Sequence, residues 1–203
     1  MIRLYSGTMK LSTGTLDITD PCYDKDTWCR KKVQKVKAGQ WSCFYIQEAE
    51  DDGKIAQIEI VHESVDINDI QRKYISVGSI GVDAGLAGFF EDKPDYIDEE
   101  WYKICDFLPY DVPTIVNTES PLKCNGFVSS SGFGDGCYEC FGVTNDHFEV
   151  VALKIVFFEE DYEDDDEWEE RINNLYELWC IEPEDLTEDE LEELYNAGMI
   201  DSY

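Results

Sequence analysis

The stretch CYECFGVTNDHFEVVALKIVFF, Cys137 to Phe158, doubles back on itself. Its two apolar runs flank Asn145-Asp146, a pair that accepts turn geometry, so the segment reads as a β-hairpin. The second run, Phe148 to Phe158, is apolar on nearly both faces, as befits a central strand covered on both sides. A chain holding such a strand must build layered β-structure around it. WSCFYIQEAEDDGKIAQIEIVHE reads as another hairpin, turning about Asp52-Gly53. In its second run Ala56, Ile58, Ile60 and His62 share one face, and Gln57, Glu59 and Glu63 lie on the other. KYISVGSIGVDAGLAGFFED adds strands interrupted by Gly78, Gly81, Gly85 and Gly88, positions expected to mark bulges or close backbone approach.

Helical periodicity is confined to a few places. DYIDEEWYKICDFL sets Ile97, Trp101, Ile104 and Leu108 on one stripe, with acidic residues early in the segment. Near the C-terminus Trp168, Ile172, Leu175 and Trp179 form a second stripe, which Pro183 ends. LTEDELEELYNAG has the signals of a third helix: Thr187 as N-cap, Glu190 completing a capping box, a Leu186–Leu191 staple and Gly198 at the close. The expected fold is therefore α+β, a mainly antiparallel twisted sheet or β-sandwich built from hairpins. One helix is expected in the middle and two acidic helices at the C-terminus.

Charge divides the chain. The net charge is −30, and 20 acidic residues with a single base, Arg171, fall between Glu159 and Tyr203. The expected organisation is a β-rich body, 1–158, and an acidic helical extension, 159–203, packed on it. Self-repulsion of this size disfavours nucleic acid and phospholipid surfaces as partners and favours basic protein surfaces or divalent cations. The start, MIRLYSGTMKLSTGT, lacks the basic stretch and apolar run of a secretion signal, and no run reaches the ~18 apolar residues of a membrane span. A cytoplasmic location is expected, with the eight cysteines reduced and partly buried.

Several residues carry candidate chemistry. Asp20 before Pro21, Asp83 before Ala84-Gly85, and Asp135 between Gly134 and Gly136 sit beside turn residues. Converging, they would bind Mg²⁺ or Ca²⁺ or serve as acid and base; separately, each would cap its own turn. Cys137 and Cys140 have zinc spacing, but in a strand residues three apart face opposite ways, so core packing is expected instead. His62, at the end of an apolar face, is expected to be a satisfied core or rim histidine, and a Cys22–His62–Asp nucleophile has no support in the spacing. The VSSSGFGDG loop precedes a strand pattern, and no Lys or Arg lies between Asn125 and Leu153, which argues against a phosphate cradle.

GTLDITDPCYDKDTWC, GVDAGLAGFFED and VSSSGFGDGCYECFGV followed by VVALKIVF, spanning Gly14 to Phe158, resemble a set of small bacteriophage and bacterial proteins. In that set TDPCY-like, VDxGxAG-like and SSGYGDG-like elements occur in this order. The resemblance implies a phage-type β-rich domain and no established activity. Two functions from different classes follow. The first is an acidic interaction protein that blocks a basic host protein, nucleic-acid-binding or defensive, as a nucleic-acid mimic. Its binding carboxylates would be Glu163, Asp164, Asp165, Asp166, Glu169, Glu170, Glu188, Asp189, Glu192 and Glu193. The second is a metal-dependent hydrolase or small-ligand binder using the three aspartates.

Overall fold

The computed structural model describes residues 1–24, 27–48, 53–66, 74–96, 98–108 and 112–158. Beyond these it describes only 175–176, 186–187, 190–191, 194–195 and 199–200. The chain divides into two compact units, Met1–Glu159 and Glu160–Tyr203.

The first unit is a β-sandwich. Its strands are β1 (Ile2–Leu11), β2 (Thr15–Thr19), β3 (Arg30–Gln34), β4 (Gly39–Gln47), β5 (Ile55–His62), β6 (Ile75–Val82), β7 (Leu86–Phe90), β8 (Thr114–Val116), β9 (Gly126–Ser130), β10 (Gly136–Thr144) and β11 (Val150–Val156). A six-stranded sheet runs β1-β4-β5-β11-β10-β6 and a five-stranded sheet β3-β2-β7-β9-β8. Every ladder between named strands is antiparallel. Trp41, Ile58, Ile60, Leu153 and Ile155 of the larger sheet share one buried cluster with Leu16, Ile18, Phe89 and Phe127 of the smaller.

Both expected hairpins form. β4 pairs with β5, Trp41 opposite His62, and β10 pairs with β11, Cys140 opposite Ile155. Asp52, one half of the first turn, lies outside the described residues. At the second, the Asn145 side chain accepts the His147 and Glu149 N–H groups at 3.0 and 2.9 Å and closes the turn. β11 is central, between β5 and β10. Its Leu153 and Ile155 face the main core, while Val151 packs outward with Val61, Val143 and partly buried Phe44, Val65 and Tyr74.

The α+β expectation with three helices is corrected to a mostly β fold. About half of the described residues are in strands of two antiparallel sheets, and one short helix accompanies them. That helix, α1 (Asp98–Phe107), presents Ile104 and, just beyond its end, Leu108 to Leu86, Phe90, Val116 and Val128 on the outer side of the smaller sheet. Ile97 and the side chain of Trp101 lie outside the described residues. The error has a physical cause. β1 pairs with β4 and β2 with β7, both distant in sequence, while β3 and β8, of five and three residues, are too short to show a period. In β1 exposure runs continuously from Ile2 to Tyr5.

In the second unit, buried Leu186, Leu194 and Ile200 gather Leu175, Tyr176, Leu191 and Met199. The Thr187 N–H donates to Glu190 Oε2 at 2.9 Å, and the Glu190 N–H reaches Thr187 Oγ1 at 3.4 Å, the reciprocal bonds of a capping box. Trp168, Ile172, Trp179 and Gly198 lie outside the described residues.

Alternation did not foresee the buried charges. Glu59, on the face expected to be polar, is 1% exposed. It accepts from Tyr74 Oη at 2.6 Å and from Arg3 Nε at 3.2 Å, and Arg3 lies over the Phe44 ring. In the smaller sheet Arg30 donates to Asp17 at 2.9 Å and to the Lys93 carbonyl at 2.7 Å. Lys93, fully buried, donates to the carbonyls of Tyr23 at 2.9 Å and Pro94 at 3.1 Å. Burial, with Arg30 nearby, lowers its ammonium to about 8.

Candidate functional site

The TDPCY, VDAGLAG and SSSGFGDG elements meet at one end of the sandwich. β6 belongs to the larger sheet and β7 to the smaller, so the chain crosses between sheets at Asp83-Ala84-Gly85. Gly85 takes a φ of 65°, a left-handed conformation that favours glycine, and permits the crossing. The Asp20 carboxylate grips this turn from the end of β2. Its Oδ2 accepts the N–H groups of Asp83 at 3.0 Å and Ala84 at 2.8 Å, and its Oδ1 accepts Cys22 N–H at 2.9 Å. On the other side the Gly85 carbonyl accepts the Ser131 N–H at 3.1 Å. The Ser131 hydroxyl and Tyr138 Oη both donate to the Gly134 carbonyl, at 2.6 and 2.8 Å. Asp20 and Ser131 are completely buried.

Burial pushes the Asp20 carboxyl up, against the pull of its three backbone N–H donors. Tyr23 donates to Asp83, and that bond raises the Tyr23 phenol strongly. The Cys29 thiol rises to about 11 through burial and then the charges of Asp20 and Asp83. A thiol held protonated in this way is a poor nucleophile.

Of the three candidate aspartates, the fold brings Asp20 and Asp83 together through backbone bonds. Asp135 is exposed in the adjoining loop. Both Asp20 oxygens face amides, the turn-fixing alternative weighed from the sequence. Among the described residues no group of three or more His, Cys, Asp or Glu side chains is placed to hold a metal ion. Of the two readings of this trio, the bonds of Asp20 fit the turn-fixing one rather than the Mg²⁺ or Ca²⁺ alternative.

The other candidates resolve individually. Cys137 is exposed and Cys140 buried, as opposite strand faces require, and burial raises Cys140 to about 12. Cys22 follows the end of β2, whereas His62 lies beside Ala38 and Gly39 near the strand's other end, so no Cys22–His62 pair forms. His62 is buried and satisfied: Nδ1 accepts the Ser64 N–H at 3.1 Å and Nε2 faces the Ala38 carbonyl at 3.1 Å. The Ser131–Gly136 loop turns into β10 without opening a helix. Glu163, Asp164, Asp165, Asp166, Glu169, Glu170, Glu188, Asp189, Glu192 and Glu193 lie outside the described residues.

Sequence reasoning missed Tyr23 and Trp28, the aromatic residues of the β2–β3 connection. Their role comes from wrapping the end of β6, more than 50 residues away in the chain, and no local pattern signals it. The ring of Trp28 lies on Gly81, where an added Cβ would fall 1.7 Å from its Cε3 and Cζ3 atoms. Gly81→Ala is expected to displace the indole, changing the near-UV circular dichroism and costing about 1 kcal/mol by urea unfolding. An unchanged spectrum would refute that contact.

No family model, curated protein or solved structure matches the chain. Among the described residues no helix is long and apolar enough to cross a membrane.

Proposed function

We propose that the chain is an acidic interaction protein that occupies a basic surface of a partner protein, its carboxylates standing in for nucleic-acid phosphates. The observation that carries this reading is the placement of 20 acidic residues against one base between Glu159 and Tyr203. An apolar cluster of Leu186, Leu194 and Ile200 lies within the same unit. In keeping with the motif resemblance, the partner is a host nucleic-acid-binding or defence protein met in the cytoplasm. The binding groups are Glu163, Asp164, Asp165, Asp166, Glu169, Glu170, Glu188, Asp189, Glu192 and Glu193. The chain itself binds neither nucleic acid nor membrane, since both carry its own sign of charge.

Capture from host lysate is expected to yield a basic protein at about 50 mM salt and to lose it at about 500 mM, where screening shortens the electrostatic range to a few ångströms. The captured protein, purified, should be displaced from DNA or RNA by the intact chain and not by one with these carboxylates changed to amides. Recovery of no basic protein at either salt would overturn the proposal.

A further inference from the structure

The β2–β3 connection carries an open aromatic surface round the edge of the larger sheet. β6 is an edge strand, and its Ile80 and Val82 point into the core, so Gly81 faces outward. Trp28 lies across that glycine, and the Gly81 N–H donates to the Trp28 carbonyl at 3.2 Å, fixing the backbone beneath the ring. Trp28 nevertheless remains 65% exposed: the strand covers one face of the indole and leaves the other open. Elsewhere four described cations sit on rings, Arg3 over Phe44, Lys54 over Phe133, Lys93 over Tyr96 and Lys154 over Tyr74. No described cation sits on Trp28.

The surroundings of the ring are acidic. Asp83 follows on the same outward side of the strand, its carboxylate oriented by Tyr23. Cys137 pairs opposite Gly81 and Glu139 opposite Ser79, while Asp135 precedes Gly136, the partner of Val82. Asp83, Asp135, Cys137 and Glu139 are all exposed. A ring laid on an edge strand does block strand addition, but that role needs neither an open face nor flanking carboxylates.

We propose that the open face of Trp28, with the Asp83 carboxylate beside it, is the seat for an arginine side chain from a basic segment of the partner protein. Indole is the strongest aromatic platform for a cation, and a guanidinium stacks on a ring while its fork engages a carboxylate. The net charge of −30 supplies the complementarity that draws such a segment in. The inference rests on the proposed basic partner and adds a contact on the sandwich, apart from the C-terminal carboxylates.

The test uses the full ¹⁵N-labelled chain and two probes, acetyl-Gly-Arg-Gly-amide and its neutral citrulline counterpart. The Trp28 indole N–H resonance, assigned by its loss in W28F, should shift saturably with the arginine probe and stay still with citrulline. Asp83→Asn retains an oxygen for Tyr23 and should weaken the arginine response by roughly two- to fivefold, the weight of an exposed ion pair. A chain with the C-terminal carboxylates named above changed to amides should keep the Trp28 response. Absence of an arginine-induced shift, an equal shift with citrulline, or loss of the response in the neutralised chain overturns the seat. If the response behaves as expected while no basic protein is captured from lysate, the seat stands and the proposed function fails.

Discussion

Asp20→Ala is expected to lower the unfolding free energy by about 3 kcal/mol or more, because it strips the acceptor from several backbone N–H groups in a closed site. The carboxylate is completely buried and receives the amides of Cys22, Asp83 and Ala84. Asp20→Asn tests charge against shape. The amide keeps one acceptor oxygen but turns an NH₂ toward N–H donors, so roughly half of the loss should remain. Urea unfolding of the two variants beside the parent chain reads both effects. If alanine costs less than about 1 kcal/mol, the grip of β2 on the crossover between sheets is not what holds this end together.

The second large effect is alkaline. Burial raises the thiols of Cys43 and Cys140 to about 12 and those of Cys29 and Cys124 to about 11, from a reference of 9.0. Their folded pKa values exceed the unfolded ones, so between pH 9 and 11 the unfolded chain binds fewer protons. Each thiol then removes about 1.4 kcal/mol of stability per pH unit. Lys93 works in the opposite direction. Its folded value of about 8 lies below the reference of 10.5, so folding gains about 1.4 kcal/mol per unit between those limits. The expected profile is a modest rise from pH 8 to 9 and a steep fall above 9. Urea midpoints measured under reducing conditions at half-unit steps should trace it. Cys140→Ala should flatten the fall by about a third, since four thiol slopes less the opposing Lys93 slope leave a net of three and one is removed. A profile flat from pH 8 to 10.5 would show that these groups are reached by solvent.

Both effects arise from contacts whose legibility in the sequence differed. The two hairpins could be read because a local turn signal separates their apolar runs, and at the second the Asn145 side chain closes the reversal. The doubly apolar run at β11 marked a central strand because few other environments can cover both of its faces. The opposite exposures of Cys137 and Cys140 followed from strand geometry, and the capping box of Thr187 and Glu190 from spacing alone. The α+β expectation failed because apolar stripes of helical period were legible, while β1 and β2, which pair with distant strands, and the short β3 and β8 were not. Glu59 looked like a solvent-facing residue until Tyr74 and Arg3 closed over it.

By itself, then, the sequence determined the local reversals, the central strand and an electrostatic bias so strong that anionic partners are disfavoured. Those properties depend on neighbours within a few residues, or on summed charge. The tertiary structure alone decided that β6 and β7 part into different sheets, and that one Asp20 oxygen accepts two amides more than 60 residues away. It alone laid Trp28 on Gly81 with one face open. The physical reason is common to all three. A carboxylate or an indole carries the same chemistry anywhere in a chain, and its role is set by which groups the sandwich brings within bonding distance, information that no local pattern contains.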